Sequence, residues 1–468
     1  MIIDKPASFI QAFIEDLNSS LQELEPTAKL TGIQRSWLGF CLMGILLINS
    51  VCWAKFERAS LGGYKISALS WMLRKSKIAW SRLFTASVKL ILKQYRISEG
   101  VLIIDESERS RCKQTSRIYK AHKHKDKTTG GYINGQSIVL LLLVTDTITF
   151  PVGFSFYMPD PGLSNWEKEE KRLLKKGVAK KDRPPKPQRA PSSTTKPQLA
   201  LRLLQEFKEN HKQILIKAIL ADALYGEAPF LNKASHLFDK SQVISQLRKN
   251  QNIIYKGNTK NLETYFNSIN KGVTTRICIR GEKQITAIVS SARLKVKAHG
   301  KKRFVIALKY FGKEDYRYLV ATNVSWQTKD IIQAYTLRWL VEVIEEDWKL
   351  YEGWVCYAKQ YDEEGSSRGL FLSLLLDHCL LLHPEQKVRL ENKLPAFTVG
   401  SLQKRLQMEA LLEFIQSLLQ EENPGEKLKE LGTIVKDVFQ LMPSKKHLIG
   451  RNLGTWEPTP SLKYQLAS

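Results

Sequence analysis

The chain has 468 residues, 43% of them hydrophobic, enough for a sizeable core and too many for one small domain. Its 72 Lys and Arg against 46 Asp and Glu leave a formal charge of +26, a self-repelling excess that a polyanion such as nucleic acid relieves. A disulfide scaffold and a zinc finger are excluded, because Cys41, Cys52, Cys112, Cys278, Cys356 and Cys379 are scattered with no C-x-x-C pair and read as free thiols.

The opening MIIDKPASF has no basic stretch leading into an apolar run, so no secretory signal is expected. Residues 1–98 read as a helical domain, with apolar residues at helical spacing in 9–24 and few breakers in 34–56. The run 37–53 (WLGFCLMGILLINSVCW) is short for a membrane span and contains Asn49 and Ser50, so a buried helix is expected. Lysines and arginines from Lys65 to Arg96 make this domain compatible with DNA docking and equally with a scaffold.

From residue 101 the pattern changes to α/β. The run 101–104 (VLII) predicts a buried strand ending at Asp105, followed by a polar, basic stretch to Lys127 that includes His122 and His124 as solvated loop histidines. Strands are predicted at 137–145 and 148–157, then a basic, Pro-rich segment at 159–197 that is a linker or a loop ordered on a partner. A helix at 198–211, a strand at 215–220 running into Asp222, a helix at 226–238 and a strand at 242–247 complete a β-β-β-α-β-α-β order. Residues 249–325 alternate as antiparallel strands, a long helix follows at about 328–351, and 366–440 is helical with a break at Pro424-Gly425. His378, in an apolar run, reads as a satisfied core histidine.

Two acids close apolar strands. Each has an ordinary reading, Asp105 as a turn former and Asp222 as a helix N-cap. The long helix adds Tyr335, Arg338, Glu342 and Lys349 at offsets of 0, 3, 7 and 14, an arc of roughly 60° on one face. A carboxylate there can hold a metal and the cations can hold phosphate oxygens, although Glu345 and Glu346 are close enough that spacing alone does not single out Glu342.

The pattern Tyr335-x-x-Arg338-x-x-x-Glu342-x-x-x-x-x-x-Lys349 resembles the Tyr-Arg-Glu-Lys signature of IS-four-type insertion-sequence transposases, members of the DDE superfamily. The resemblance covers roughly residues 100–385. It implies an RNase H-like core at 99–248 and 326–385, a β-rich insertion at 249–325, and a helical region at 386–468 expected to serve dimerisation. It further implies catalytic, metal-binding Asp105, Asp222 and Glu342, with Tyr335, Arg338 and Lys349 on DNA. Two Mg²⁺ or Mn²⁺ ions would serve phosphoryl transfer, cutting transposon terminal inverted repeats and joining them to target DNA, by cut-and-paste. A homodimer on double-stranded DNA in the cytoplasm, at the nucleoid and away from membranes, is implied too. The family can stack a flipped base on a Trp of the insertion; here 249–325 has none, and Tyr255, Tyr265, Tyr310 and Trp326 are the aromatics that could substitute. The alternatives are a non-catalytic DNA-binding protein derived from a transposase, an RNase H-like nuclease for RNA hybrids or junctions, and a membrane-surface protein. Basic residues spread along the whole chain disfavour the last.

Overall fold

The computed structural model describes residues 6–110, 118–125, 131–269, 272–279, 283–354 and 362–439. Cys112, Cys356 and the basic residues Arg111, Lys113, Arg117 and Lys127 lie outside them. Of the described thiols, Cys41 and Cys379 are buried and Cys52 and Cys278 half-buried, all free.

The first hundred residues form α1 (Ser8–Leu24), α2 (Gly32–Ile48), α3 (Trp53–Ala59), α4 (Ile66–Lys75) and α5 (Trp80–Gln94). In α1 the buried positions Ile10, Phe13, Ile14, Leu17 and Leu21 repeat every three or four residues, the stripe an amphipathic helix lays on a core. Helix α2 starts at a capping box between Thr31 and Gln34 and ends at Asn49 in the left-handed conformation. It is buried along most of its length, as expected of the run 37–53, and no described helix is long and apolar enough to cross a membrane.

Next come β1 (Glu99–Ser110), β2 (His122–Lys125), β3 (Tyr132–Val144), β4 (Thr149–Tyr157), α6 (Pro161–Lys175), α7 (Lys196–Asn210), β5 (Leu215–Ala221), α8 (Ala228–Leu237) and β6 (Gln242–Leu247). Short strands β7 (Asn252–Tyr255) and β8 (Asn258–Asn261) and helix α9 (Leu262–Ile269) follow, then β9 (Val273–Ile279), β10 (Lys283–Val296), β11 (Lys301–Tyr310) and β12 (Arg317–Ala321). The chain closes through α10 (Thr328–Thr336), α11 (Leu340–Tyr351), α12 (Glu363–Leu381), α13 (Pro384–Glu391), α14 (Val399–Leu419) and α15 (Pro424–Val438).

All twelve strands join one mixed sheet, ordered β2-β3-β1-β5-β6-β12-β11-β10-β7-β8, with β4 beside β3 and β9 beside β10. Strands β1, β5 and β6 are parallel, while β3 and β4 run antiparallel in sequence beside β1. This α/β arrangement is compatible with an RNase H-like domain. The segment 252–321 continues the same sheet, because β12 pairs with β6. Leu102, Ile103 and Ile104 are fully buried on both faces of β1, which explains a continuous apolar run in place of alternation.

Four expectations need correction. Strand β1 does not end at Asp105; it runs to Ser110 because the polar residues 106–110 continue the ladder with β3. His122 and His124 are not in a solvated loop. They lie in β2 against β3, and the His124 side chain is 10% exposed beside Glu108. Residues 159–197 are not mere linker, since α6 occupies Pro161–Lys175. The long helix is interrupted by a 3₁₀ turn at Leu337–Trp339 between α10 and α11.

His378 is the core histidine expected. Its Nε2 donates to the Pro151 carbonyl at 2.8 Å, which leaves Nδ1 to accept from the Ser87 hydroxyl at 2.7 Å, tying α12 to β4 and α5. Burial lowers its pKa from 6.5 to about 4, so the ring is neutral in the folded chain. The unfolded chain therefore takes the proton first. The His378 contribution is fully present above pH 6.5 and is lost as the pH falls to about 4. We expect non-titrating His378→Asn to lose roughly 3 kcal/mol less than wild type over that window, measured by urea unfolding at each pH. Parallel pH curves for the two proteins would contradict this.

Candidate active site

The last paired positions of parallel strands β1 and β5 are Ile104 and Ala221. One residue further on each strand stand Asp105 and Asp222, so the topology brings two acids 117 positions apart to neighbouring places at one sheet edge. The Asp222 carboxylate accepts from Leu224 N at 2.8 Å and its carbonyl from the Ser245 hydroxyl at 2.5 Å, fixing the turn before α8. Gly226 is required there, because a Cβ would come within 2.2 Å of the Gln246 carbonyl of β6. Asp222 is thus an N-cap as well as a neighbour of Asp105, and the two readings do not compete.

Arg338, in the 3₁₀ turn, donates to the Asp105 carboxylate in a half-buried ion pair. Burial opposes its charge, but Tyr335, Asp105, Asp222 and Glu342 around it outweigh that and raise its pKa. Asp105 is thus bonded to this guanidinium, and the charges of Asp222 and Glu342 act on it as well. Tyr335 is buried, with its hydroxyl 3.4 Å from the Ala221 carbonyl; burial, with Asp222 and Asp105 adding, pushes its pKa up to about 12. It stays neutral and supports the strand end that carries Asp222.

Glu342 is exposed and lines a cleft of about 610 Å³ with Arg338, Tyr310, Lys313 and Arg317. Lys349 is bonded to Glu345, four residues before it. Glu345 faces Asp105; burial raises its pKa, Asp105 adds to the rise, and Lys349 opposes it. The 3₁₀ turn explains why Glu345 and Lys349, not Glu342, lie deeper. Three residues at about 120° rather than 100° each add roughly 60° of rotation, which swings Glu342 outward and Glu345 toward β1.

Residues beyond the sequence expectation complete the edge. Glu106, next to Asp105, is bonded to Lys196 at the start of α7 and accepts from the Tyr225 hydroxyl at 3.3 Å. Burial raises its pKa against the opposing pull of Lys196, with Asp222 and Asp105 adding. A second carboxylate directly after a buried apolar run was the available signal. Of the aromatics that could stack a base, Tyr310 lines the cleft, Tyr255 and Tyr265 pack on each other, and Trp326 leans on the core.

Two aspartates just past the last paired positions of β1 and β5 offer the hard oxygen donors that Mg²⁺ or Mn²⁺ prefers, so the pair fits a divalent ion. Among the described residues no three His, Cys, Asp or Glu side chains are gathered as a ready-made ion site; Arg338 stands among the acids instead.

The mixed sheet is compatible with an RNase H-like domain, and it carries an aspartate just past the last paired positions of two neighbouring parallel strands. Residues 34–259 match the family described as DDE superfamily endonuclease, which supports a DDE transposase family for this chain. The match contains Asp105 and Asp222 and ends before Glu342. No curated protein matches the chain.

Proposed function

We propose that this protein is a DNA transposase that cuts transposon ends and joins them to target DNA by cut-and-paste. The observation that carries the reading is the placement of Asp105 and Asp222 just past the last paired positions of neighbouring parallel strands, with Arg338 bonded to Asp105. The DDE endonuclease match supports it.

In this reading Asp105, Asp222 and Glu342 would hold divalent cations, which when bound would supply charge to offset that of the reacting phosphodiester. Arg338 has a double task. Without DNA it neutralises Asp105; with DNA present, its planar fork suits a phosphate. Lys349 orients Glu345 and adds positive charge near the DNA path. Tyr335 is a positioning residue, since its hydroxyl is turned to the Ala221 carbonyl. The Asp222 carboxylate keeps its place through Leu224 N while the substrate arrives.

The test is cleavage of the element's own terminal repeats by the full chain, with Mg²⁺ or with EDTA. Mg²⁺-dependent nicking and joined products are expected. DNA binding without divalent-dependent cleavage under any of these conditions would leave the non-catalytic DNA-binding reading in its place.

A further inference from the structure

Apart from Lys196, the segment leading from β4 into α7 plays no part in the site just described, yet it is ordered. Residues 159–197 hold eleven Lys and Arg against five Asp and Glu. No side chain from 161 to 198 is buried. A segment without a core gains little from the hydrophobic effect, so its order must come from polar contacts.

Those contacts are present. The Asp160 carboxylate accepts from Leu163 N at 3.1 Å and from Ala190 N at 2.7 Å, pinning the two ends of the segment together. Trp166 Nε1 donates to the Pro184 carbonyl at 2.9 Å, and Arg183 bonds the Val178 carbonyl at 2.9 Å and Glu170 at 2.7 Å. The return chain therefore lies back along α6 as a self-braced arm.

Along α6 and its C-cap the cations Lys168, Lys171, Arg172, Lys175 and Lys176 fall within an arc of roughly 140°, and Glu170 is turned to the return chain through Arg183. Of these five, Arg172 is paired, with Glu169; the four lysines make no ion pair with a described carboxylate. Fifteen residues of helix span about 22 Å, close to six base pairs at 3.4 Å each.

The arm's roots fix where it stands. Tyr157, the last residue of β4, pairs with Ser137, and Ser137 pairs with Glu108 of β1. At the other root Lys196 is bonded to Glu106, the neighbour of Asp105. Both roots lie at the sheet edge where β1 continues past Asp105.

We infer that residues 159–197 form a basic arm that grips the phosphate backbone of duplex DNA beside the position cut at Asp105 and Asp222. The inference rests on the nuclease reading for its placement. The lysine stripe lies on the face of α6 away from Leu163, Trp166, Leu173 and Leu174, and its charge complementarity selects DNA over a protein groove. The lysine stripe reads phosphates and not bases, so it adds affinity without sequence preference.

The experiment uses the full chain carrying Lys168→Gln, Lys171→Gln, Lys175→Gln and Lys176→Gln together, and a mixed-sequence 40-base-pair duplex as the probe. Affinity is measured by fluorescence anisotropy at several salt concentrations. Each phosphate contact contributes about −0.9 to the slope of log K on log salt, so with all four lysines engaged the variant's slope should flatten by about 3.6 and its Kd at 0.1 M salt rise on the order of a thousandfold. A second readout needs no variant: the duplex should protect wild-type Lys175–Lys181 from trypsin. A folded variant with unchanged slope, or arm lysines cut equally fast with and without DNA, overturns the inference. Loss of binding to phosphatidylserine vesicles with DNA affinity intact also overturns it, in favour of a membrane surface. Asp222→Asn in the same binding assay separates the two readings, since failure of the nuclease assignment shows as retained cleavage and leaves the salt slope untouched.

Discussion

Asparagine at Asp105 or at Asp222 is expected to lower end cleavage by at least about a thousandfold while DNA binding is kept or tightened. Three decades correspond to about 4 kcal/mol of transition-state stabilisation, the scale of losing a metal ligand that carries charge compensation for phosphoryl transfer. The fold should survive both changes for separate reasons. Asn is as good an N-cap as Asp, so Asp222→Asn keeps the bond from Leu224 N. Asp105→Asn loses the ion pair to Arg338, but the charges of Asp222 and Glu342 still favour the guanidinium. Removing one negative charge from an edge that must admit phosphates favours binding. The measurement pairs a Mg²⁺ cleavage assay with anisotropy on the same duplex. Cleavage within tenfold of wild type for either variant would remove that residue from the catalytic set.

Much of this edge was legible because buried parallel strands announce themselves. The run 242–247 (QVISQL) centres on β-branched Val243 and Ile244, and the structure gives β6 those same limits. The acids after two such runs were visible for the same reason. Their adjacency was not, because parallel register depends on how β1 and β5 pair, and no local pattern encodes that. The length of β1 escaped notice since residues 106–110 are polar and owe their extended form to the β3 ladder, a tertiary effect that overrides propensity. The 3₁₀ turn at 337–339 was illegible too: Leu-Arg-Trp contains no breaker. The arm was missed for a different cause. Its prolines were read as punctuation, although Asp160 followed by Pro161 is an N-cap with proline at the first helical position.

The sharpest contrast is expected between two glutamates three residues apart. Glu342→Gln should abolish cleavage, by about a thousandfold or more, and leave DNA binding intact. Glu345→Gln should keep cleavage within about tenfold and lower thermal stability modestly, because it breaks a half-buried ion pair with Lys349 and leaves that ammonium to find water. Burial depth would favour the opposite assignment, since Glu345 lies nearer Asp105. Yet a carboxylate already bonded to Lys349 is engaged in holding α11 on β1, while Glu342 opens on the cleft that Arg317 and Lys313 line with positive charge. A metal ligand must meet both the ion and the substrate phosphate, and that position belongs to the cleft side. Arg338→Ala supplies the control: it should weaken end binding, whereas Glu342→Gln spares it. Should Glu345→Gln prove inert and Glu342→Gln active, the deeper glutamate would be the third ligand and the rotation introduced by the 3₁₀ turn would be the reason.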